Sequence, residues 1–255
     1  MLLVENNKHK ILQCLAQGLS QCSFHSLKIG PISADDNTMN LLEAALQSSD
    51  LSCNRYAQFF NWYQTTKNQT FEKYMQGRPS KVRNTIARKQ RKLQREQAYN
   101  IQLFRKHEVL QQMTDFDAVY EASWKSNERF KETMYGFIKC FSKQDWTRLA
   151  ILYIDKKPVA AQIWFVVHNK ASIFKLAYDE TWKRYSLGSI LTQYLMEYVI
   201  DVDKVTEIDF LTGNDRYKQD WMSERRQRWN LVCTHKSPEI KSTNPIIQFI
   251  KRFSA

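Results

Sequence analysis

No apolar run in the chain approaches the roughly 20 consecutive residues that a membrane-spanning helix needs; Ala160 to Val167 is too short. Cysteine is sparse and unpatterned. The five cysteines (14, 22, 53, 140 and 233) form no CxxC pair. Neither a disulfide framework nor a zinc site is expected, as in a reduced intracellular protein. The five histidines are equally dispersed, and no His/Cys/Asp/Glu spacing points to a metal. There is no internal repeat and no low-complexity segment. Met1-Leu-Leu-Val meets Glu5 at once, so no signal peptide is expected, and the cytoplasm is the expected location. Acidic residues are also in short supply, with 26 Asp and Glu against 38 Lys and Arg, a formal net charge of +12. That balance favours anionic partners: nucleotides, CoA, an acidic carrier protein, tRNA or a membrane surface.

What is present argues for a folded protein. Hydrophobic residues make up 43% of the 255 positions and aromatics 13%, enough for one large domain or two smaller ones. Early on, helices are expected over Lys10 to Leu19 and Thr38 to Gln47, the second capped by Asp36 or Asn37. Strands are expected at Leu27 to Ile29, running into Gly30-Pro31, and at Arg55 to Trp62. This abrupt start reads as half of a domain, or a truncated one.

A long helix is expected from Ser80 to about Gln97. Between Arg78 and Lys106 there are ten Lys/Arg and one acid, Glu96, a local excess of nine that accounts for most of the chain's charge. Val82, Ile86 and Leu93 can form an apolar stripe. Two readings stay open: a solvated basic face docked by that stripe, or a surface that recruits an anionic donor or acceptor. No aromatic residue interleaves the run for base stacking.

Asp115 to Lys125 reads as a helix with Phe116, Val119, Tyr120 and Trp124 on one face. An antiparallel meander follows: Arg148 to Ile154, Val159 to Val167 and Ala171 to Tyr178, with turns at Asp155 to Pro158 and His168 to Lys170. His168, in a turn, is expected to be exposed. Then come a turn carrying Lys183, Arg184, Ser186 and Gly188, and a helix Leu187 to Ile200. A strand Val205 to Leu211, a Gly-Asn turn, and a short helix bearing Tyr217, Lys218 and Trp221 complete this part. Strand, helix, strand here is a βαβ crossover with a parallel edge. A last strand is expected at Arg226 to Val232, and a short amphipathic helix at Pro245 to Phe253.

Strand, anion-friendly turn, helix, strand is an arrangement that holds a phosphorylated donor at a helix N-terminus. The order of Thr70-Phe-Glu-Lys-Tyr, Ser80-Lys-Val-Arg-Asn, Arg88-Lys-Gln-Arg-Lys-Leu93, Ser123-Trp-Lys, Ala177-Tyr-Asp179, Ser186-Leu-Gly-Ser-Ile-Leu191 and Asp209-Phe-Leu-Thr-Gly213 with Tyr217-Lys218 and Trp221 is similar to that of the GNAT acyltransferase superfamily. It resembles most the CelD/BioF2-like branch, related to the Fem-type peptidoglycan aminoacyltransferases. The likeness runs from about residue 25 to 233.

The resemblance implies an α/β (α+β) fold with a mixed, partly antiparallel sheet flanked by helices. It divides the chain into an incomplete GNAT-like half at 1–97, ending in the basic helix, and an acyltransferase domain at 98–255. It implies transfer of an acetyl or longer acyl group from acyl-CoA to an amine or hydroxyl, without a metal. The family's Q/R-x-x-G-x-G/A phosphate turn falls on Lys183-Arg-Tyr-Ser186-Leu-Gly188, with serine in place of the first glycine. Lys183, Arg184, Ser186, Leu187, Gly188 and Ser189 are therefore the expected donor-binding residues.

Lys218 is expected as a positive group near the reacting carbonyl or donor phosphate. Asp209 and Asp179 are expected as carboxylates for the acceptor's proton or amine, and Tyr178 or Tyr217 as general acid to the leaving thiolate. Structural roles for each stay open: Gly188 for helix packing, Asp179 as a strand terminator, Asp209 as a partner of Lys218. Cys233 lacks a nearby His-type base and reads as a buried strand residue. An acyl-carrier protein or, as a less favoured donor, an aminoacyl-tRNA would also present a phosphate and an activated ester, and the acceptor is expected to be a small molecule, a saccharide or an amine. The rival readings are a Fem-type tRNA-dependent aminoacyltransferase and a non-catalytic GNAT-fold binding module for an acidic partner.

Overall fold

A computed structural model describes residues 7–33, 37–125 and 130–236. In chain order the elements are α1 (Lys8–Ser20), β1 (Leu27–Ser33), α2 (Asn37–Ser48), β2 (Leu51–Thr65), α3 (Phe71–Gln76), α4 (Ser80–Glu96), β3 (Tyr99–Phe104), α5 (His107–Gln111), α6 (Met113–Glu121), α7 (Lys131–Lys143), β4 (Thr147–Ile154), β5 (Lys157–Val167), β6 (Lys170–Tyr178), a short 3₁₀ helix Glu180–Tyr185, α8 (Leu187–Asp201), β7 (Glu207–Asp209), α9 (Arg216–Trp221) and β8 (Glu224–His235). The helix expected at Pro245 to Phe253 and the Asp36 cap lie outside the described residues. No helix among the described residues is long and apolar enough to cross a membrane.

The described residues form two units by contact, one from those up to Phe60 together with those from Arg226 on, the other from those between Asn61 and Arg225. In the first, β1 pairs antiparallel with β8 (Leu27 opposite Cys233, Ile29 opposite Leu231), and β8 neighbours β2. Its core gathers Leu12 and Ala16 of α1, Leu42 and Leu46 of α2, Leu51 of β2 and Leu231 of β8. Cys53 and Cys233 form a disulfide with their Cα atoms 4.1 Å apart. This corrects the expectation of unpaired cysteines: the two are 180 residues apart in sequence, and only strand pairing makes them neighbours. Cys14, Cys22 and Cys140 are free and exposed.

In the second unit the sheet runs β2-β7-β6-β5-β4-β3. Every pair in it is antiparallel except β6 with β7. The mixed, helix-flanked sheet expected from the sequence is what the chain forms. β4 is buried along its whole length, as expected of a strand covered on both faces. One face packs Tyr74 of α3, Ile86 and Leu93 of α4, and Leu187, Leu191, Leu195 and Val199 of α8 against Trp164 and Ala160. The other packs Val109, Phe116, Val119 and Ile138 of α5 to α7 against Leu149, Ile151 and Ile163.

The local chemistry explains several boundaries. Thr70 caps α3, its Oγ1 accepting the Lys73 N–H at 3.3 Å, so a neutral side chain suffices without the acidic partner of a capping box. α4 stays helical because it has no glycine or proline inside it and buries only Ile86 and Leu93, leaving its charges outside.

Candidate active site

α8 begins where the sheet opens. β6 and β7 pair in parallel at Lys170–Glu207, Ala171–Ile208 and Ser172–Asp209. There β7 ends, while β6 runs on to Tyr178. Beyond Ser172 the edge of β6 therefore has no β7 partner, and the start of α8 packs against its last residues. A Cβ on Gly188 would sit 3.4 Å from Tyr178 Cδ1 and 3.8 Å from Leu176 Cδ2. These are ordinary contact distances, so the helix start lies directly against the end of β6.

Two features hold this helix start. Ser186, its N-cap, sits in the left-handed region at φ 56° and ψ 45°, with no side-chain cap hydrogen bond. For a residue with a Cβ that conformation costs roughly 1–2 kcal/mol. It persists between two fully buried neighbours, Tyr185 and Leu187. Second, the fully buried Gln162 of β5 donates through Nε2 to Gly188 O at 2.9 Å and to Thr192 Oγ1 at 2.8 Å, and accepts from Trp164 Nε1 at 2.8 Å. The first N–H groups of a helix have no intrahelical partner, and its dipole favours negative charge. Ser186 and Ser189 are partly exposed at this end, and Lys183 and Arg184 are exposed. The six predicted donor-binding residues are thus contiguous in space as in sequence.

The five residues predicted for catalysis distribute differently. Asp179 is buried, and its Oδ1 accepts the Thr181 N–H at 3.0 Å and Thr181 Oγ1 at 2.7 Å, capping the 3₁₀ helix. Its Oδ2 lies 3.7 Å from the exposed Lys157 amine. Tyr178 touches Gly188, and its ring centroid is 4.6 Å from that of Trp124, which is half-exposed.

Asp209, at the end of β7, is fully buried. Its Oδ1 accepts from Asn61 Nδ2 at 2.6 Å and from Leu211 N at 2.7 Å, and its Oδ2 from Lys170 Nζ at 2.8 Å. Lys218 is buried too, and its amine donates to Phe210 O at 3.0 Å, to Gly213 O at 3.5 Å and to Thr212 O, with Asp215 Oδ2 at 3.6 Å. Burial lowers the Lys218 pKa, with Asp215 and Asp209 opposing. An ammonium has three donors, and here all point at carbonyls of the 210–213 loop. Beside it Tyr217 is about half-exposed; withdrawal from water and then the Asp215 charge push its hydroxyl up to about 12.

The basic helix borders the same turn. Lys89 Nζ donates to Arg184 O at 2.5 Å, and Lys92 lies 5.6 Å from the centroid of the Tyr185 ring. Gln162 and Tyr185 escaped the sequence reading, and Trp124 entered it as a residue of an apolar helix face, not of the site. Gln162 carried a faint signal, one amide within the apolar run Val159 to Val167; Tyr185 looked like any core aromatic.

A helix N-terminus set at the parting of two parallel strands, behind an antiparallel meander, is the architecture of a GNAT-type fold. The chain belongs to that family: the model of the acetyltransferase (GNAT) domain matches residues 80–219. Among solved structures it is similar to FemX, with a TM-score of 0.65 and 9% identity over 98% of this chain and 81% of that one. It is also similar to the DUF2156 C-terminal domain of a protein assigned as a lysylphosphatidylglycerol synthetase in Agrobacterium fabrum, with a TM-score of 0.62 and 11% identity over 98% and 78%. A third is a conserved protein of unknown function from Bacteroides thetaiotaomicron, with a TM-score of 0.59 and 12% identity over 89% and 75%. At these identities the likeness is one of fold. No curated protein matches the sequence.

Proposed function

We propose that the chain transfers an acyl group from acyl-CoA to an amine or hydroxyl, binding the donor's phosphates at the N-terminus of α8. The observation that carries this reading is the α8 start itself, set at the β6–β7 parting with Lys183, Arg184, Ser186 and Ser189 around it. Backbone N–H groups there suit a pyrophosphate, and the parting leaves a strand edge for the acyl arm.

In this reading the acceptor nitrogen or oxygen attacks the thioester carbonyl directly. The new C–N or C–O bond forms, the C–S bond breaks, and the acceptor's proton passes to a carboxylate. Asp179 Oδ2, opposite its capping oxygen, is the carboxylate we assign to the acceptor amine. The Tyr217 hydroxyl, protonated at neutral pH, donates to the departing thiolate. Tyr178 walls the donor turn. Lys218 and Asp209 act through the backbone they hold, Lys218 on the 210–213 carbonyls and Asp209 on the Leu211 N–H. They are positioning residues for the loop that presents Tyr217.

The test is a thermal-shift and calorimetric comparison of acetyl-CoA, longer acyl-CoAs and free CoA. A ligand at a hundred times its dissociation constant adds about 2.7 kcal/mol to stability. Stabilisation by one acyl-CoA beyond free CoA is expected; no response to any thioester would sink this reading.

The contact of α4 with the donor turn favours a second donor, an aminoacyl-tRNA. That reading expects salt-sensitive tRNA binding, lost when Arg88, Lys89, Arg91 and Lys92 become Glu. Silence toward both donors would leave the binding-module reading.

A further inference from the structure

We infer that Tyr185 is a positioning residue that couples the basic helix α4 to the donor turn, with Glu96 as its anchor on α4. The ring is fully buried, yet its hydroxyl meets polar groups from both sides. It donates to Glu96 Oε2 at 3.0 Å, and accepts from Arg184 Nη2 at 2.8 Å and from Gln97 Nε2 at 3.4 Å. A phenol has one proton to give and two lone pairs to accept with, so the hydroxyl is saturated. Two of its three partners come from the end of α4 and one from the 3₁₀ helix.

The ring is gripped as well. The Arg184 guanidinium carbon stands 4.7 Å from its centroid, the Lys92 amine 5.6 Å, and the Trp182 ring stacks at 5.9 Å. Alongside, Lys89 holds the carbonyl of Arg184. The next residue is Ser186, whose left-handed backbone aims the first turn of α8. A non-glycine residue holds that conformation only where its surroundings over-determine it, and Tyr185 is the neighbour with the most restraints on it. Glu96, the single acid in a run of ten basic residues, is the group that ties them. α4 is therefore a wall of the donor site and not a separate basic arm.

The inference rests on α8 as the donor site, and its test separates the two. Amide hydrogen exchange of Ser189 and Ile190, whose N–H groups are bonded to Ser186 O at 3.0 and 3.2 Å, needs no donor. In Tyr185→Phe, which keeps the ring, and in Glu96→Ala, exchange at these two amides should rise about tenfold, the scale of one charge-assisted hydrogen bond. The double variant should go no further, and Glu96→Gln, which still offers an oxygen, should restore protection. Unchanged exchange in Tyr185→Phe overturns the inference whatever the donor proves to be. With the donor that binds wild type, acyl-CoA or tRNA, the same variants should raise its KM far more than they lower kcat. Faster exchange with an unaltered donor KM would overturn the positioning role. If wild type binds neither donor, the reading of the site fails, while the exchange result still decides the coupling.

Discussion

Gln162 and Gly188 are joined across the core: the amide of a β5 side chain donates to the carbonyl of the second residue of α8 at 2.9 Å. The same side chain accepts the Trp164 indole proton, so one buried amide ties a central strand to the mouth of the site. Replacing it with Leu leaves the indole N–H and a helix carbonyl without that partner in the interior. Gln162→Leu should lose about 2–4 kcal/mol of unfolding free energy, read as a lower denaturation midpoint.

Gly188→Ala separates packing from binding. The added methyl would rest at ordinary contact distance from Tyr178 and Leu176, and alanine is the better helix former by about 1 kcal/mol. The melting temperature should hold or rise. Donor affinity should fall roughly tenfold, the scale of a charge-assisted backbone contact pushed out of reach. Calorimetric titration and a melt on the same sample give both numbers.

Lys218→Met removes the amine that gathers three carbonyls. A loss of about 2–4 kcal/mol is expected. The pH dependence has a definite sign. Burial lowers the folded-state pKa of Lys218 below its ordinary 10.5, so the unfolded chain binds the proton more tightly. Its stabilising contribution then rises with pH toward 10.5 and is lost as pH falls through the folded value. The gap in unfolding free energy between wild type and Lys218→Met should widen on going from neutral to alkaline pH.

Tyr217→Phe keeps the ring and removes the proposed acid. Turnover should drop roughly a hundredfold with little change in donor affinity. Because the hydroxyl is held up near 12, the wild-type rate should show no alkaline limb from this group until close to that pH.

The Cys53–Cys233 bond predicts a labelling pattern. Alkylation of the denatured, unreduced chain should mark Cys14, Cys22 and Cys140 alone, by peptide mass. Reduction should cost about 2–4 kcal/mol of stability, since the bond spans 180 residues.

Most of the elements were legible because their signals are local. The basic helix, expected over Ser80 to about Gln97, ends at Glu96; helix Leu187 to Ile200 runs one residue further; the three meander strands lie within two residues of expectation. Each has an uninterrupted pattern and a distinct turn at its end. β2 runs beyond the expected Arg55 to Trp62 at both ends, from Leu51 to Thr65, and its last three residues are strand because they pair with β7, a long-range partner that no local pattern shows. β7 keeps only three of the seven residues expected at Val205 to Leu211, since its length is set by where β6 and β2 stop pairing. β3 and α7 were missed. Tyr99, Ile101 and Leu103 do alternate, but they follow a long helix and lack a turn signal.

By itself the sequence determined the meander, the crossover, the place of the turn before α8 and the excess of positive charge. These depend on the spacing of residues a few positions apart, and such patterns survive in one dimension. Only the tertiary structure decided what those residues are engaged in: that Lys218 holds carbonyls, that Asp179 caps a helix, that Cys53 meets Cys233. Only the fold showed that Glu96 reaches Tyr185, 89 residues on. A hydrogen bond or a disulfide is a statement about distances of a few ångströms, and over such separations only the packed chain sets those distances.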